Sequence, residues 1–315
     1  MECDIVDGKP FLDYEGQINK LISKELEIKD KDKALEMLKR VGYYQLISGY
    51  KSMFKNAAGY YMNGVEFNDI ASLYYFDEGL RNLFLEYILK IERTICSHIS
   101  YYFCKKFGNN QQCYLDPQNY NSRASYRELT KLLNTIKFYS TRDTKHKYIK
   151  HYREHYGNVP LWVVINALSI GNISVLYACL QDDIKSQIAK EYEHVNESEI
   201  EAMLRSLTKF RNLCAHGERL FNERIGNAIP NTNIHQKLEI EISNGQYKYG
   251  KNDLFSVLIS CKYLLPKQDF SQLKKSLEKL IQLYFSRPDS FVKEENILEK
   301  MGFPLNWTKI TRYKN

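Results

Sequence analysis

The feature that most restricts the fold is an apolar pattern of helical period running from Ile70 to Tyr102. Ile70, Leu73, Tyr74, Leu80, Phe84, Tyr87, Ile88, Ile91, Ile95, Ile99 and Tyr102 recur with 3–4 spacing, two of them as adjacent neighbours of another and with one wider step. A period of 3.6 places them on one side of a helix. Sustained over about 33 residues, it predicts a rod of roughly 50 Å at 1.5 Å per residue. A rod of that length with one apolar side needs other helices to cover it, so the fold class expected is mainly α. Composition agrees, because 15 Gly and 7 Pro in 315 residues fall below the average combined use of about 12%. An apolar fraction of 43% and a charged fraction of 26% exclude wholesale disorder.

The remaining chain reads around that rod. Ile18, Leu21 and Ile22, then Ala34, Leu35 and Leu38, predict helices within residues 9–50, with Asp30 as a cap. Asn63-Gly64, between Tyr-Tyr-Met and Val-Glu-Phe, signals a two-residue hairpin. Residues 105–121 read as a loop. Leu129, Leu132, Leu133 and Ile136 predict a helix, and another follows near 183–193. The run from Pro160 to Gly171 starts a buried helix, with Pro160 suited to the first turn. Asn196 or Ser198 caps the next helix, with Glu199 or Glu201 at capping-box spacing. It carries Ile200, Met203, Leu204, Leu207 and then Arg211, and stops at His216 before Gly217. Leu238–Ile242 alternates with period two, Asn244-Gly245 turns, and 246–249 returns as a second strand. Helices near 252–264 and 268–285 precede an irregular tail. The expected organisation is an N-terminal helical region (1–66), a helical bundle (67–222) with a basic insertion (123–155), and a C-terminal hairpin with helices (223–315).

Charge narrows the partners. The net charge is +7, and between residues 123 and 155 nine cations face three acids, so this window carries +6 of it. The cations are Arg123, Arg127, Lys131, Lys137, Arg142, Lys145, Lys147, Lys150 and Arg153, interleaved with Tyr126, Phe138, Tyr139, Tyr148 and Tyr152. Phosphate pairing with base stacking is how single-stranded RNA is held without much sequence reading. A solvated helical face is the plainer account of a charge run. Lys309, Arg312 and Lys314 add a second basic stretch at the end. Seven cysteines with no Cys-x-x-Cys pair point to reduced thiols and a cytoplasmic protein. The start, MECDIVDGKP, has no signal-peptide character. The longest apolar stretch, Leu161–Ile170, is ten residues, against about 20 for a membrane span. His146, His151 and His155 tempt a zinc reading, but cationic surroundings without cysteine disfavour it, and no metal or cofactor is expected.

The stretch that carries chemistry is Phe210-Arg-Asn-Leu-Cys-Ala-His-Gly217. Arg211 occupies a position on the apolar stripe, where an unpaired guanidinium would be costly. Asn212 and His216 are four apart and share a face, whereas Arg211 and His216 are five apart, about 140° round an ideal helix. A long Arg side chain, or a helix ending near Gly217, would let both address one point. A fixed cation, an orienting amide and an imidazole suit phosphodiester cleavage without metal. A core histidine beside a buried Arg–Glu pair fits the same spacing. Glu92 could be the partner of that arginine, although such pairs are more often structural. Asp77 and Arg81, at i and i+4, are expected to form a pair on the helix surface.

RNLCAHGERLFN (211–222) resembles the RN-x-CAH-x-x-RL-x-N signature of the abortive-infection Abi proteins of the AbiD/AbiF type, members of the HEPN superfamily. Lys9-Pro10, YYQLISGY (43–50), Phe67 with LYYFDEGLR (73–81), IER (91–93), Leu161-Trp162 with SIGNIS (169–174), and MGFPLNW (301–307) resemble the family in order. Asn166 stands where the family pattern leads one to expect a glutamate. The resemblance implies a HEPN ribonuclease, a helical bundle that forms a homodimer with two Arg-x4-His motifs in one cleft. It would cut RNA without metal through 2′-hydroxyl attack, in phage defence, with a small structured RNA as a further partner in some members. Arg211 would grip the scissile phosphate, Asn212 would position and His216 would move protons, with Glu92 and Arg219 as supporting candidates. Two alternatives stay open: a non-catalytic protein that binds a small structured RNA, and a helical interaction module in which Arg211 and His216 only staple a dimer.

Overall fold

The structure, a computed structural model, describes residues 10–287 and 291–312. Cys3, Lys9 and Lys314 lie outside the described residues. The fold is mainly α. In chain order the α-helices are α1 (Tyr14–Ile22), α2 (Lys31–Val41), α3 (Phe67–Phe107), α4 (Gln111–Leu115) and α5 (Tyr126–Arg142). Then come α6 (Lys147–Tyr156), α7 (Leu161–Val164), α8 (Ile170–Cys179), α9 (Asp182–Ala189) and α10 (Glu197–Ala215). The last are α11 (Asn233–Lys237), α12 (Leu254–Leu264), α13 (Lys267–Phe285) and α14 (Glu294–Met301). Two short strands, β1 (Ile242–Ser243) and β2 (Gln246–Tyr247), pair antiparallel. The chain divides into two compact units, residues 1–80 with 279–297, and residues 81–278 with 298–315.

In the first unit, the Asp30 carboxylate accepts from the Lys33 backbone N–H at 3.0 Å and starts α2, as its sequence position predicts. Leu38, Leu46, Ile47, Phe54, Val65 and Leu73 are buried. Asp77 is fully buried rather than on the surface, and accepts a 2.7 Å hydrogen bond from the Tyr50 hydroxyl. The surface pair expected of Asp77 and Arg81 is therefore corrected, because Arg81 too is buried. Asn63-Gly64 is a turn but not a hairpin. Tyr61 bridges to Lys55 and Glu66 to Glu27, so the flanking segments pair elsewhere. The two-residue hairpin turns need φ > 0 at the first central residue, and the type I′ turn favoured by Asn-Gly at both, whereas here only Gly64 (φ +82°) has it.

In the second unit, α10 packs on α8, α9 and α12, and α5 packs on α8. The predicted rod is α3, 41 residues long, and it runs beyond both ends of the stretch that the periodicity marked. Residues 105–121 are not a plain loop, since α3 continues to Phe107 and Asn110 caps α4. The second half of the basic window is helical as α6. Pro160 is the N-cap of a four-residue helix, α7, and a 3-10 turn over Ile165–Ala167 separates it from α8. The tail expected to be irregular contains α14 and a 3-10 turn at Trp307–Thr311, with Trp307 3% exposed. The hairpin at Asn244-Gly245 forms, with φ of +50° and +76°, but is shorter than predicted. Leu238 and Ile240 are buried while Glu239 and Glu241 are exposed, so the alternation of 238–241 is met without strand pairing.

Candidate functional site

The candidate site grows from the two ends of α10. Asn196 accepts from the Glu199 N–H at 3.0 Å, and the Glu199 carboxylate accepts from the Asn196 N–H at 2.8 Å, a full capping box. The register so fixed buries Ile200, Met203, Leu204, Leu207, Phe210 and Cys214. The helix stops in a Schellman motif. Gly217 N–H donates to the Cys214 carbonyl at 3.2 Å, and Glu218 N–H donates to the Leu213 carbonyl at 3.0 Å. This requires a left-handed residue, which Gly217 supplies at φ +67°. His216 is the C-cap residue, its backbone N–H bonded to the Asn212 carbonyl at 3.0 Å, and it is exposed. Asn212 is exposed as well.

Arg211 sits half-buried at the edge of the stripe, and its Nε is buried without a hydrogen-bond partner among the described residues. Across from it on α3 is Glu92, also half-buried, with Oε2 unpartnered. Burial raises the Glu92 carboxyl above its ordinary value, and the Arg211 charge pulls it back down. One turn further along α3, burial pushes the Cys96 thiol up to about 12, with Glu92 adding to the effect. The structure thus brings together Arg211 and Glu92. An unmet buried donor on a guanidinium costs free energy that an incoming anion would recover.

Arg81 was missed by sequence reasoning as a part of this neighbourhood. Its Nη1 donates to the Glu218 carbonyl at 3.3 Å, just after the Schellman turn, so α3 braces the turn that carries His216. An i,i+4 partner of opposite sign on the same helix masked it. Arg219 is half-buried and makes interactions of its own. Asn222, the last residue of the motif, has a buried Oδ1 without a partner.

The nine window cations separate into different roles. Arg123 pairs with Asp182, and Lys150 lies 3.7 Å from Glu154. Arg153 donates to the Asp143 carbonyl at 2.8 Å and to the Ser140 carbonyl at 3.4 Å, closing the joint between α5 and α6. Arg127, Lys131, Lys137, Arg142, Lys145 and Lys147 are exposed and form no ion pair among the described residues. A groove of about 700 Å³ runs along α5 between the exposed rings of Tyr126 and Phe138, beside Arg127 and Lys131. His146 bonds Asp143 at 2.9 Å, and the rings of His151 and His155 lie 4.3 Å apart, tilted by 32°. Among the described residues, no group of three or more His, Cys, Asp or Glu is placed to hold a metal ion. No helix among them is long and apolar enough to cross a membrane.

Asn166, in place of the glutamate that the resemblance leads one to expect, donates from Nδ2 to the Trp162 carbonyl at 2.8 Å and the Val163 carbonyl at 3.3 Å. A carboxylate has no proton with which to make either bond. Compared with known families, residues 36–222, more than half of the chain, match the family described as Abi-like protein. No curated protein and no solved structure matches the chain.

Proposed function

The chain belongs to the Abi-like protein family, which suggests a place in abortive-infection defence, and from that premise we propose that it is a cytoplasmic HEPN endoribonuclease. The observation that carries this reading is the half-buried Arg211, with an unmet Nε beside Glu92, followed within two turns by the exposed His216. A phosphodiester placed against the half-buried guanidinium of Arg211 would have its developing charge balanced. His216, at the open end of α10, can exchange protons with a 2′-hydroxyl or a leaving oxygen. The 2′-oxygen attacks phosphorus as its proton leaves to a base, the bond to the 5′-oxygen breaks, and that oxygen takes up a proton. The products are a 2′,3′-cyclic phosphate and a 5′-hydroxyl. Base and acid are both needed, and a homodimer supplies two copies of His216, so a dimeric composite site and metal-independent cleavage belong to this proposal. Glu92 and Arg219 act by positioning, and Asn212 orients a neighbour. The exposed cations of α5 and α6 hold the single strand by its phosphates.

The test is cleavage of a labelled RNA in the presence of a chelator, with melting temperature and RNA binding measured on the same samples. His216→Ala should lower the rate by about 10²–10⁴. Because His216 is exposed, stability should change by less than about 0.5 kcal/mol. Cleavage that persists per folded molecule in this variant would refute the catalytic assignment. RNA binding without cleavage in the wild-type protein would favour the reading as a non-catalytic binder of a small structured RNA.

A further inference from the structure

One stripe of α3 lies apart from the apolar side that builds the core. Arg93, Ser97, Tyr101 and Lys105 recur every four residues and line one wall of a cavity of about 850 Å³. Trp162 and Asn166, one turn apart, form the facing wall. This volume is within the range of small-molecule sites, about 300–1,000 Å³. Among the lining residues there is no aspartate or glutamate, so the two cations set the sign of the charge. Two large aromatic side chains are left in the open: Tyr101 is 60% exposed and Trp162 is 44% exposed. Trp307, the other tryptophan, is 3% exposed, which is how an indole is usually placed when packing is its only task. Lys105 Nζ sits 5.9 Å from the Tyr101 ring centroid, so charge and π-face are already side by side. Asn166 uses its amide protons on backbone carbonyls, and its Oδ1 makes no hydrogen bond among the described residues, leaving a neutral acceptor at the cavity wall. A glutamate there would have set a negative charge in the same place.

Aromatic faces, two cations and a neutral acceptor, without a carboxylate, are complementary to one chemical class. A nucleobase stacks on exposed rings, a phosphate pairs with Arg and Lys, and an exocyclic amine or ring N–H donates to an amide oxygen. We propose that this cavity binds one unpaired nucleotide, its base against Trp162 and Tyr101 and its phosphate on one of the two flanking cations, Arg93 or Lys105. The location gives the proposal a use. Arg93 directly follows Glu92, and Cys96, one turn from Glu92, lines the cavity, so the bound nucleotide neighbours the Arg211–Glu92 pair. A base held here would fix the register in which an RNA strand crosses Arg211. The proposal rests on the reading of RNA as the ligand, not on cleavage.

The experiment uses the full chain with two probes, AMP and a short unstructured oligoribonucleotide. Saturable quenching of tryptophan emission by either is expected, because Trp162 is the exposed indole. Affinities are then measured by equilibrium dialysis. Trp162→Ala should weaken binding of both probes by about tenfold or more. Arg93→Gln combined with Lys105→Gln should weaken AMP but leave the uncharged adenosine unchanged. All three side chains are exposed, so melting temperatures should stay close to wild type. Tighter binding of the oligonucleotide with the same dependence assigns the cavity to a strand, and tighter binding of AMP assigns it to a free nucleotide. Absence of binding, or binding indifferent to all three substitutions, overturns the proposal. A change from dimer to monomer in Trp162→Ala with nucleotide affinity intact also overturns it, and makes the cavity a contact between copies of this chain. Cleavage assays on the same proteins separate this outcome from failure of the nuclease reading, since a protein can bind AMP here and cut nothing, or cut RNA and leave AMP unbound.

Discussion

Gly217→Ala isolates the backbone that presents His216 from the chemistry of the imidazole. Gly217 has φ +67°, and a Cβ built on it meets nothing within 4 Å. The substitution therefore carries no steric clash with neighbours, only the cost of a left-handed L-residue, about 1–2 kcal/mol. Loss of glycine freedom in the unfolded chain returns about 0.4–1 kcal/mol. The net expectation is a destabilisation of about 1 kcal/mol, or about 2–4 °C in melting temperature for a cooperative unit of this size. If instead the turn relaxes out of the left-handed region, it loses the bonds from Gly217 to Cys214 and from Glu218 to Leu213, and the carbonyl that Arg81 grips moves. His216 would then be displaced, and a misplacement of about 1 Å can cost about 10²-fold in rate. Calorimetry and chelator-resistant cleavage on one preparation measure both quantities. Gly217→Asn should recover most of the stability and the rate, because Asn tolerates the left-handed region. A Gly217→Ala protein as stable as wild type, or one matched in stability and rate by Gly217→Asn, would refute the reasoning.

Other expectations follow from the same geometry. Replacing Lys145, Lys147 and Lys150 by Gln should lower the salt slope of RNA binding by about 0.7 per lost phosphate contact, up to about 2, as read from a titration over salt concentration. Asp253, the N-cap of α12, is raised to about 6 from 3.8 by burial, with Arg224 and hydrogen bonds from Gly250 and Ser256 opposing. A raised carboxyl favours the folded state at low pH, and that contribution is lost as pH rises from about 4 through about 6. Asp253→Asn should remove roughly 3 kcal/mol of that pH dependence, measured by melting across the window. Gly302 has φ +78°, and a Cβ there would stand 2.2 Å from the Asp253 carboxyl carbon. Gly302→Ala should cost about 2–5 kcal/mol, and a melting temperature within 2 °C of wild type would contradict it.

Local chemistry was legible where it alone decides the outcome. The 3.6 period of α3, the Asn196–Glu199 box and the Gly217 stop each depend on residues within a turn of one another. The two Asn-Gly pairs show where that legibility ends. Asn244-Gly245 takes φ > 0 at both positions and makes a hairpin, whereas the identical pair at 63–64 does not, because nearby Lys55 and Glu27, distant in sequence, claim its flanks. Asp77 and Arg81 failed for the same reason. Their i,i+4 spacing suggests a pair at the solvent, whereas both are buried, where the Tyr50 hydroxyl meets the one and the Glu218 carbonyl the other. In the candidate site, Arg211 on an apolar stripe was readable as a guanidinium needing company and Glu92 as a candidate partner, but only the fold shows the two charges acting on each other. The cavity wall on α3 could not be told from an ordinary helix face, since its period of four is that of any helical stripe and Ser97 and Lys105 look like any exposed helix positions.

Helix α3 also acts as a ruler. Arg81, Glu92, Arg93, Tyr101 and Lys105 are rungs on one rigid scale about 36 Å long from first to last. Removing or adding one residue between Arg81 and Glu92 would swing every later rung by about 100°, aiming Glu92 away from Arg211 and turning the cavity wall towards the core. Only changes near whole turns spare the alignment, and even a seven-residue step leaves a drift of about 20°. Within this span the length of the chain is therefore held as strictly as the identity of its side chains, whereas a loop could absorb the same insertion without moving a functional group.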